Sequence, residues 1–181
     1  MRVIAGSARG RALRVPKGGA SRPTSDLMRG VVFDLLTALG AEWDSVLDLY
    51  AGSGALGIEA LSRGARRAVF VEQDRAACRT IRENLARLGF QEQAEVRCQP
   101  VERALRTLAG TYSIILLDPP YADPTLATTL AQVGRSGLVG PATLVVLEHT
   151  KQRPVTAVPG LVLVKQRCHG DSCVSIFRRG E

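Results

Sequence analysis

Two stretches combine residue types and spacings that have a chemical use. The first is Asp48 to Gly57, DLYAGSGALG. Gly52, Gly54 and Gly57 fall in a G-x-G-x-x-G spacing, behind an apolar run (Val46, Leu47, Leu49, Tyr50) and ahead of an apolar-periodic segment (Leu56, Ala60, Leu61). Glycines in that place allow a sharp turn and bring a ligand close to the amide N–H groups of a helix start. Roughly twenty residues past Gly52, a second apolar run, Ala68 to Val71, ends in Glu72. An acid at that distance is placed to accept hydrogen bonds from both hydroxyls of a ribose. The spacing of glycines alone serves dinucleotides and sulfonium nucleosides alike. Asp48 favours the second class, because a carboxylate opposes a pyrophosphate and attracts a cationic amino-acid end. The plainer reading of Asp48 is a structural acid that caps the turn.

The second stretch is Asp118-Pro119-Pro120-Tyr121, directly after the apolar run Tyr112 to Leu117. Two prolines remove two backbone donors and stiffen the chain as it leaves a strand. An acid, a free carbonyl at Pro119 and an aromatic ring are thereby presented together. That set suits a planar amine on a nucleobase, whose nitrogen is a poor nucleophile because its lone pair is delocalised. Asp118 and the Pro119 carbonyl can accept its two N–H bonds while Tyr121 stacks on the base, so positioning and electrostatics do most of the work. A rigid Pro-Pro turn beside a surface tyrosine is the bland alternative.

The elements that position these stretches alternate. Strands are expected at 46–50, Ala68–Glu72, Ala94–Cys98, Tyr112–Leu117 and Thr143–Leu147, with helices at 55–64, Arg75–Leu88, 99–105 and 125–133. Such alternation implies a mostly parallel sheet covered by helices on both faces, with ligands beyond the carboxyl ends of its strands. Leu161–Val164 and Cys173–Phe177 read as a closing ribbon, making seven strands. Ahead of this fold, Arg2–Gly6 and Ala12–Val15 suggest a small hairpin. Thr24, Ser25 and Asp26 offer caps for a helix to about Leu39, with Leu27, Val31, Leu35 and Leu39 as its apolar stripe. Residues 1–40 are thus expected to be an extension, and 41–181 the main domain.

Net charge is +7, and six basic residues but no acid lie between Met1 and Ser25. That asymmetry fits a polyanionic partner; a solvated basic tail is the alternative. No apolar run approaches a membrane span and no signal peptide is visible. Cys78, Cys98, Cys168 and Cys173 form no C-x-x-C pair, so no metal is expected, and reduced thiols in a cytoplasmic protein are the reading of choice.

With both stretches in place, the chain resembles the class I S-adenosylmethionine (SAM)-dependent methyltransferases of exocyclic amines. More narrowly it resembles the RsmD family of 16S rRNA guanine-N2 methyltransferases. The likeness runs from Arg2-Val3-Ile4-Ala5-Gly6 through Arg22-Pro23-Thr24, Asp26, Arg29 and Phe33 to Glu59–Ala65, Asn84-Leu85, Glu148 and Gly170-Asp171-Ser172. Gly30 departs from it, standing where the family usually has Glu. The resemblance implies a Rossmann-like fold, with SAM held by Asp48, Ala51, Gly52, Ser53, Gly54, Gly57, Glu72, Gln73, Pro100, Val101 and Asp118. It implies catalysis at Asp118, Pro119, Pro120 and Tyr121. Contact with 16S rRNA of the small ribosomal subunit is implied for Arg9, Arg11, Arg22, Thr24 and Arg29, in a cytoplasmic monomer. Three rivals stay open on the residues alone. One is an adenine-N6 methyltransferase, one a small nicotinamide-dependent dehydrogenase, and one a non-catalytic RNA-binding module that leaves Asp118–Tyr121 without a task.

Overall fold

Hydrophobic runs of five or six residues, too short for helices and bounded by glycine or acid, build the centre of the molecule. The structure, a computed structural model, describes residues 1–18, 25–155 and 157–181. In chain order these form α1 (Asp26–Ala38), β1 (Ser45–Leu49), α2 (Ala55–Ser62), β2 (Arg67–Glu72), α3 (Arg75–Leu88) and β3 (Ala94–Cys98). There follow α4 (Val101–Thr107), β4 (Tyr112–Leu117), α5 (Leu126–Arg135), β5 (Val139–Thr150), β6 (Leu161–His169) and β7 (Ser172–Arg179). All seven strands share one sheet in the order β3-β2-β1-β4-β5-β7-β6. The first five are parallel, and β7 runs antiparallel to both β5 and β6. The strand order reverses between β1 and β4, so the crevice at their carboxyl ends is where a ligand belongs. The expected mostly parallel, Rossmann-like sheet is present.

Alternation along β1 divides the core. Val46 packs with Phe33, Leu36, Ile58, Phe70 and Ile81 under α1, α2 and α3, whereas Leu47 and Leu49 pack with Leu117, Leu130 and Val133 under α4 and α5. All five residues of β1 are buried, as a strand covered on both faces requires.

The amino-terminal arm joins the first of these cores through Val3, Ala8 and Leu13. It forms a hairpin-like turn with a single Arg2–Ala12 bridge rather than two strands. Glu59 of α2, wholly buried, accepts from the amides of Ile4 and Ala5 (both 2.9 Å) and from Arg63 Nε (2.9 Å). Charge-assisted bonds of this kind fix the arm more firmly than apolar contact alone. Gly6 is obligatory at the contact, since a Cβ there would lie 1.9 Å from the Ser62 carbonyl oxygen.

Several expectations shift. Helix α1 is capped by Ser25, whose Oγ accepts from Met28 N, and it buries Met28, Arg29, Val32, Phe33, Leu35 and Leu36. The stripe of Leu27, Val31, Leu35 and Leu39 is therefore rotated, because a buried arginine occupies a place where apolar periodicity looks for a hydrophobe. Strand β5 begins four residues earlier than expected, as Gly140-Pro141 hides a start that pairs with β4 across a register shift. Cys168 and Cys173 stand opposite each other in the β6–β7 register and form a disulfide. That corrects the reading of four reduced thiols; Cys78 and Cys98 are free. Strand β6 is one of the two sheet edges, opposite β3, and exposes Val162, Leu163 and Val164, with a register irregularity before Lys165.

Candidate active site

Strand β1 delivers Tyr50 and the glycine turn to the sheet's carboxyl edge. Tyr50 has φ 59°, a conformation that a bulky residue adopts only when its surroundings impose it. Burial pushes its hydroxyl up to about 12. Gly52 (φ 57°) and Gly54 (φ 81°) follow in the same left-handed region, and Gly54 caps α2 without any side-chain bond. The turn is closed by Gly54 N donating to Ala51 O (2.8 Å) and tied to β2 by Ala51 N donating to Val71 O (3.0 Å).

Behind the turn lies Asp48, 1% exposed, whose Oδ2 accepts from Gly57 N at 2.9 Å. Desolvation raises its pKa well above the ordinary carboxylate value; the Gly57 bond opposes that shift, while Asp118 and Glu72 add to it. Gly57 has no room for a side chain: a Cβ would meet Phe70 of β2 at 2.3 Å. Asp48 and Gly57 thus brace the turn from inside, and neither faces the cleft.

Glu72 at the end of β2 faces the turn. Its Oε2 accepts from Gly52 N (2.8 Å) and its Oε1 from Asp74 N (2.9 Å). Each oxygen retains acceptor capacity, so the carboxylate is oriented without being exhausted. Beyond β4, Asp118 is half-buried, Pro119 buried, and Pro120 and Tyr121 exposed. The tyrosine is held from behind: its hydroxyl lies 3.1 Å from Ser172 Oγ and 3.5 Å from Glu148 Oε1. Arg153 Nη1 donates to the carbonyls of Tyr121 (2.8 Å) and Asp123 (3.4 Å), and Asp123 Oδ1 accepts from Thr125 N and Oγ1.

A cleft of about 300 Å3 joins the two stretches. Of the residues expected from sequence, Gly52, Glu72, Gln73, Val101, Asp118 and Pro120 line it, together with Tyr50, Val71, Glu102, Asp123 and Thr125. Ala51, Ser53, Gly54, Pro100, Pro119 and Tyr121 are not among the lining. Ser53 is clamped instead, its carbonyl accepting from Asn84 Nδ2 at 3.1 Å. Pro100 starts α4 with its carbonyl. Tyr50 and Asp123 were missed. Strain at a strand end leaves no mark in residue type, though an acid closely following a Pro-Pro turn is a signal that could have been used. A groove of about 630 Å3 between α5 and residues 153–155 and 157–159 shares Asp123 but has no glycine of the turn among its described lining. It is larger, yet the chemistry lies in the smaller cleft.

Four acids (Glu72, Glu102, Asp118, Asp123) line the cleft, with Asp48 behind, and no arginine or lysine is among the described residues that line it. A pyrophosphate would be repelled. A phosphate-free nucleoside carrying a cationic sulfur and an ammonium group fits that donor set. Among the described residues, no group of three or more His, Cys, Asp or Glu is arranged to hold a metal ion, and no helix is long and apolar enough to cross a membrane.

The expected RNA face is placed in part. Arg9 and Arg11 are exposed on the arm, and Arg11 Nη2 donates to the carbonyl of Arg87 (2.8 Å). Arg22 and Thr24 lie outside the described residues. Arg29 is a correction: it is 0% exposed, packed inside α1's core face, and donates to Arg2 O and Asp26 Oδ1. It joins the arm to the helix and presents nothing to a partner.

Comparison with known proteins agrees with this geometry. A family model described as "Conserved hypothetical protein 95" matches residues 1–178. Ribosomal RNA small subunit methyltransferase D of Escherichia coli K12 is 33% identical over 183 residues, covering 99% of this chain and 90% of that one. The protein of the same name from Haemophilus influenzae is 31% identical over 173 residues, covering 94% and 89%. Among solved structures, a hypothetical protein of Thermus thermophilus superposes with a TM-score of 0.85 at 34% identity, over 98% of this chain and 99% of that one.

Proposed function

Because the chain belongs to the Conserved hypothetical protein 95 family, that of the ribosomal RNA small subunit methyltransferase D (RsmD) proteins, we propose that it transfers a methyl group from SAM to the exocyclic N2 amine of a guanine in 16S rRNA. The observation that carries the reading is one cleft in which Gly52 and Glu72 meet Asp118 and Pro120. SAM, when bound, supplies a methyl group on a positively charged sulfur. Glu72 takes the ribose hydroxyls on the acceptor sites that Gly52 and Asp74 leave open. Val101, at the start of α4, packs beside the adenine. The acids of the cleft hold the cationic end, with Asp48 acting through the turn it braces.

On the other side of the cleft, Asp118 and the Pro119 carbonyl accept the two N–H bonds of the amine. Asp118 takes the proton that the nitrogen sheds as its new C–N bond forms and the methyl–sulfur bond breaks, leaving a neutral thioether. Tyr121 stacks on the base. Residues 1–40 serve as an extension with Arg9, Arg11, Arg22 and Thr24 toward rRNA phosphates, where charge gives affinity without sequence information. Residues 41–181 form the methyltransferase domain, working as a cytoplasmic monomer on the small subunit or an assembly intermediate. A nicotinamide dehydrogenase finds no support in a cleft lined by acids.

The test is mass mapping of methylated nucleosides after incubation of undermethylated 30S particles with labelled SAM. N2-methylguanosine at one position of 16S rRNA is the expected product. N6-methyladenosine would move the target to adenine, and an unlabelled particle would refute the enzyme.

A further inference from the structure

Helix α3 turns Ala77, Cys78, Ile81, Asn84 and Leu85 to the core and leaves Arg75, Arg79, Arg82 and Arg87 exposed. Arg75, Arg79 and Arg82 stand at i, i+4 and i+7, so they form one stripe along the helix. Two local rules are broken there. Like charges three and four apart repel across each turn. Arg75 also sits in the first turn, where the helix macrodipole disfavours a cation and where no acid is present. The Asp74 cap, which accepts from Ala77 N, offsets only part of that cost.

The one acid on this side of the helix brings no relief. Glu83 lies within reach of Arg79 and Arg87 by spacing, yet its Oε2 pairs with Arg14 Nη1 of the arm at 2.7 Å. Among the described residues, no carboxylate lies within ion-pair distance of Arg75, Arg79 or Arg87. The arm is bound to the same helix: Asn84 accepts from Arg14 N (2.8 Å) and donates to Arg14 O (2.9 Å), and Arg11 donates to the carbonyl of Arg87. Arm and helix therefore lie side by side, joined at the Arg14–Glu83 pair and with Arg11 against Arg87, and a helix that breaks its own stability rules points to a functional face.

We infer that the outward stripe of α3 is a second strip of the RNA-contact surface, taking phosphates of the strand that the amino-terminal arm grips. This rests on the enzyme reading above and extends its footprint beyond the arm. RNA fits better than an acidic protein surface because the guanidinium groups are spaced along a helix and carry no large apolar side chain among them.

The test compares two triple variants of equal charge. Arg75→Ala/Arg79→Ala/Arg82→Ala removes the stripe; Arg103→Ala/Arg106→Ala/Arg135→Ala removes three exposed arginines from α4 and α5, on the other face of the sheet. Binding of naked 16S rRNA and of 30S particles is measured against salt. The stripe variant is expected to flatten the slope of log K against log salt by about two to three units, at about 0.7–0.9 per phosphate contact. The control variant keeps the wild-type slope. SAM affinity by calorimetry stays unchanged, and the melting temperature without RNA stays equal or rises as the repulsion is relieved. A triple Arg→Lys stripe variant retains the slope.

An unchanged slope in the stripe variant, or an equal loss in both variants, overturns the inference. Loss on 30S particles with naked rRNA binding intact points to an acidic protein partner and overturns it as well. The two readings fail separately: a wild-type protein that binds RNA but transfers no methyl group refutes the enzyme. A wild-type protein that binds and methylates RNA while the stripe variant keeps the wild-type salt slope refutes the stripe alone.

Discussion

Asp118 and Tyr121 share a tetrad but are held by different parts of the molecule, so their substitutions should differ in kind. Asp118→Ala should lower single-turnover methyl transfer by about 10²–10³, the usual cost of one preorganised polar group, with SAM affinity near normal. The sequence marks the Tyr121 ring; the structure adds a use for its hydroxyl, which lies 3.1 Å from Ser172 Oγ. Tyr121→Phe should cost about 0.5–1.5 kcal/mol in kcat/KM, the net worth of one hydrogen bond. Ser172→Ala should cost the same, and the double variant no more than either single one; additive losses would separate the two residues. Asp48 titrates in the opposite sense to a salt-bridged acid. Its native pKa is raised by burial, so the folded state holds the proton more tightly than the unfolded chain does. Stability therefore falls as pH rises from the unfolded value through the raised one. Asp48→Asn removes that term and can still accept from Gly57 N. Its stability relative to wild type should grow from pH 4 to pH 8 in urea titrations of the cofactor-free protein; a constant difference would contradict the shift. The acid was legible in the sequence, but its partner was not, because only the packing of α2 on β1 brings Gly57 to it.

Elements were easier to read than their contacts. Runs such as Tyr112–Leu117 could be nothing but strands between glycine and proline, and Gly89 stops α3 with φ 76° as its place after Leu88 suggests. Edges and faces were harder. The true buried face of α1 includes an arginine, and no periodicity of apolar residues finds one. The third glycine of the turn illustrates what an element demands of a single position. A Cβ at Gly57 would lie 2.3 Å from Phe70 Cε1 and 3.0 Å from Asp48 Oδ2. Gly57→Ala should force α2 away from β2 and cost about 1–3 kcal/mol, the usual range for overpacking. SAM affinity should fall in parallel, since the same helix start presents the turn. Denaturant midpoints and calorimetry on one preparation check both; an unperturbed midpoint would show that the helix can yield.

At the scale of the whole molecule, charge asymmetry and strand–helix alternation were visible before any contact was known. The closing ribbon was visible as well, but its full length, the disulfide and the buried place of Arg29 were not: the first two depend on the β6–β7 register that sets Cys168 opposite Cys173, and the third on the docking of the arm against α1. The ribbon also forms one of the sheet's two edges, the other being β3. Strand β6 offers an unpaired backbone edge bearing Val162, Leu163 and Val164, guarded by Lys165 and Arg167. Lysine and arginine on an edge keep a second copy of the strand away through repulsion. That guard is only as long as the Debye length, which shrinks from about 10 Å at 0.1 M salt to about 3 Å at 1 M. Light scattering should show wild-type protein aggregating at 1 M salt while Val162→Lys stays dispersed; equal behaviour would clear the edge. High salt is also what strips nucleic acid from a basic surface. If the basic surface holds RNA as proposed, the wash that strips the RNA also removes the protein's protection against itself, and its solubility is set by the company it keeps.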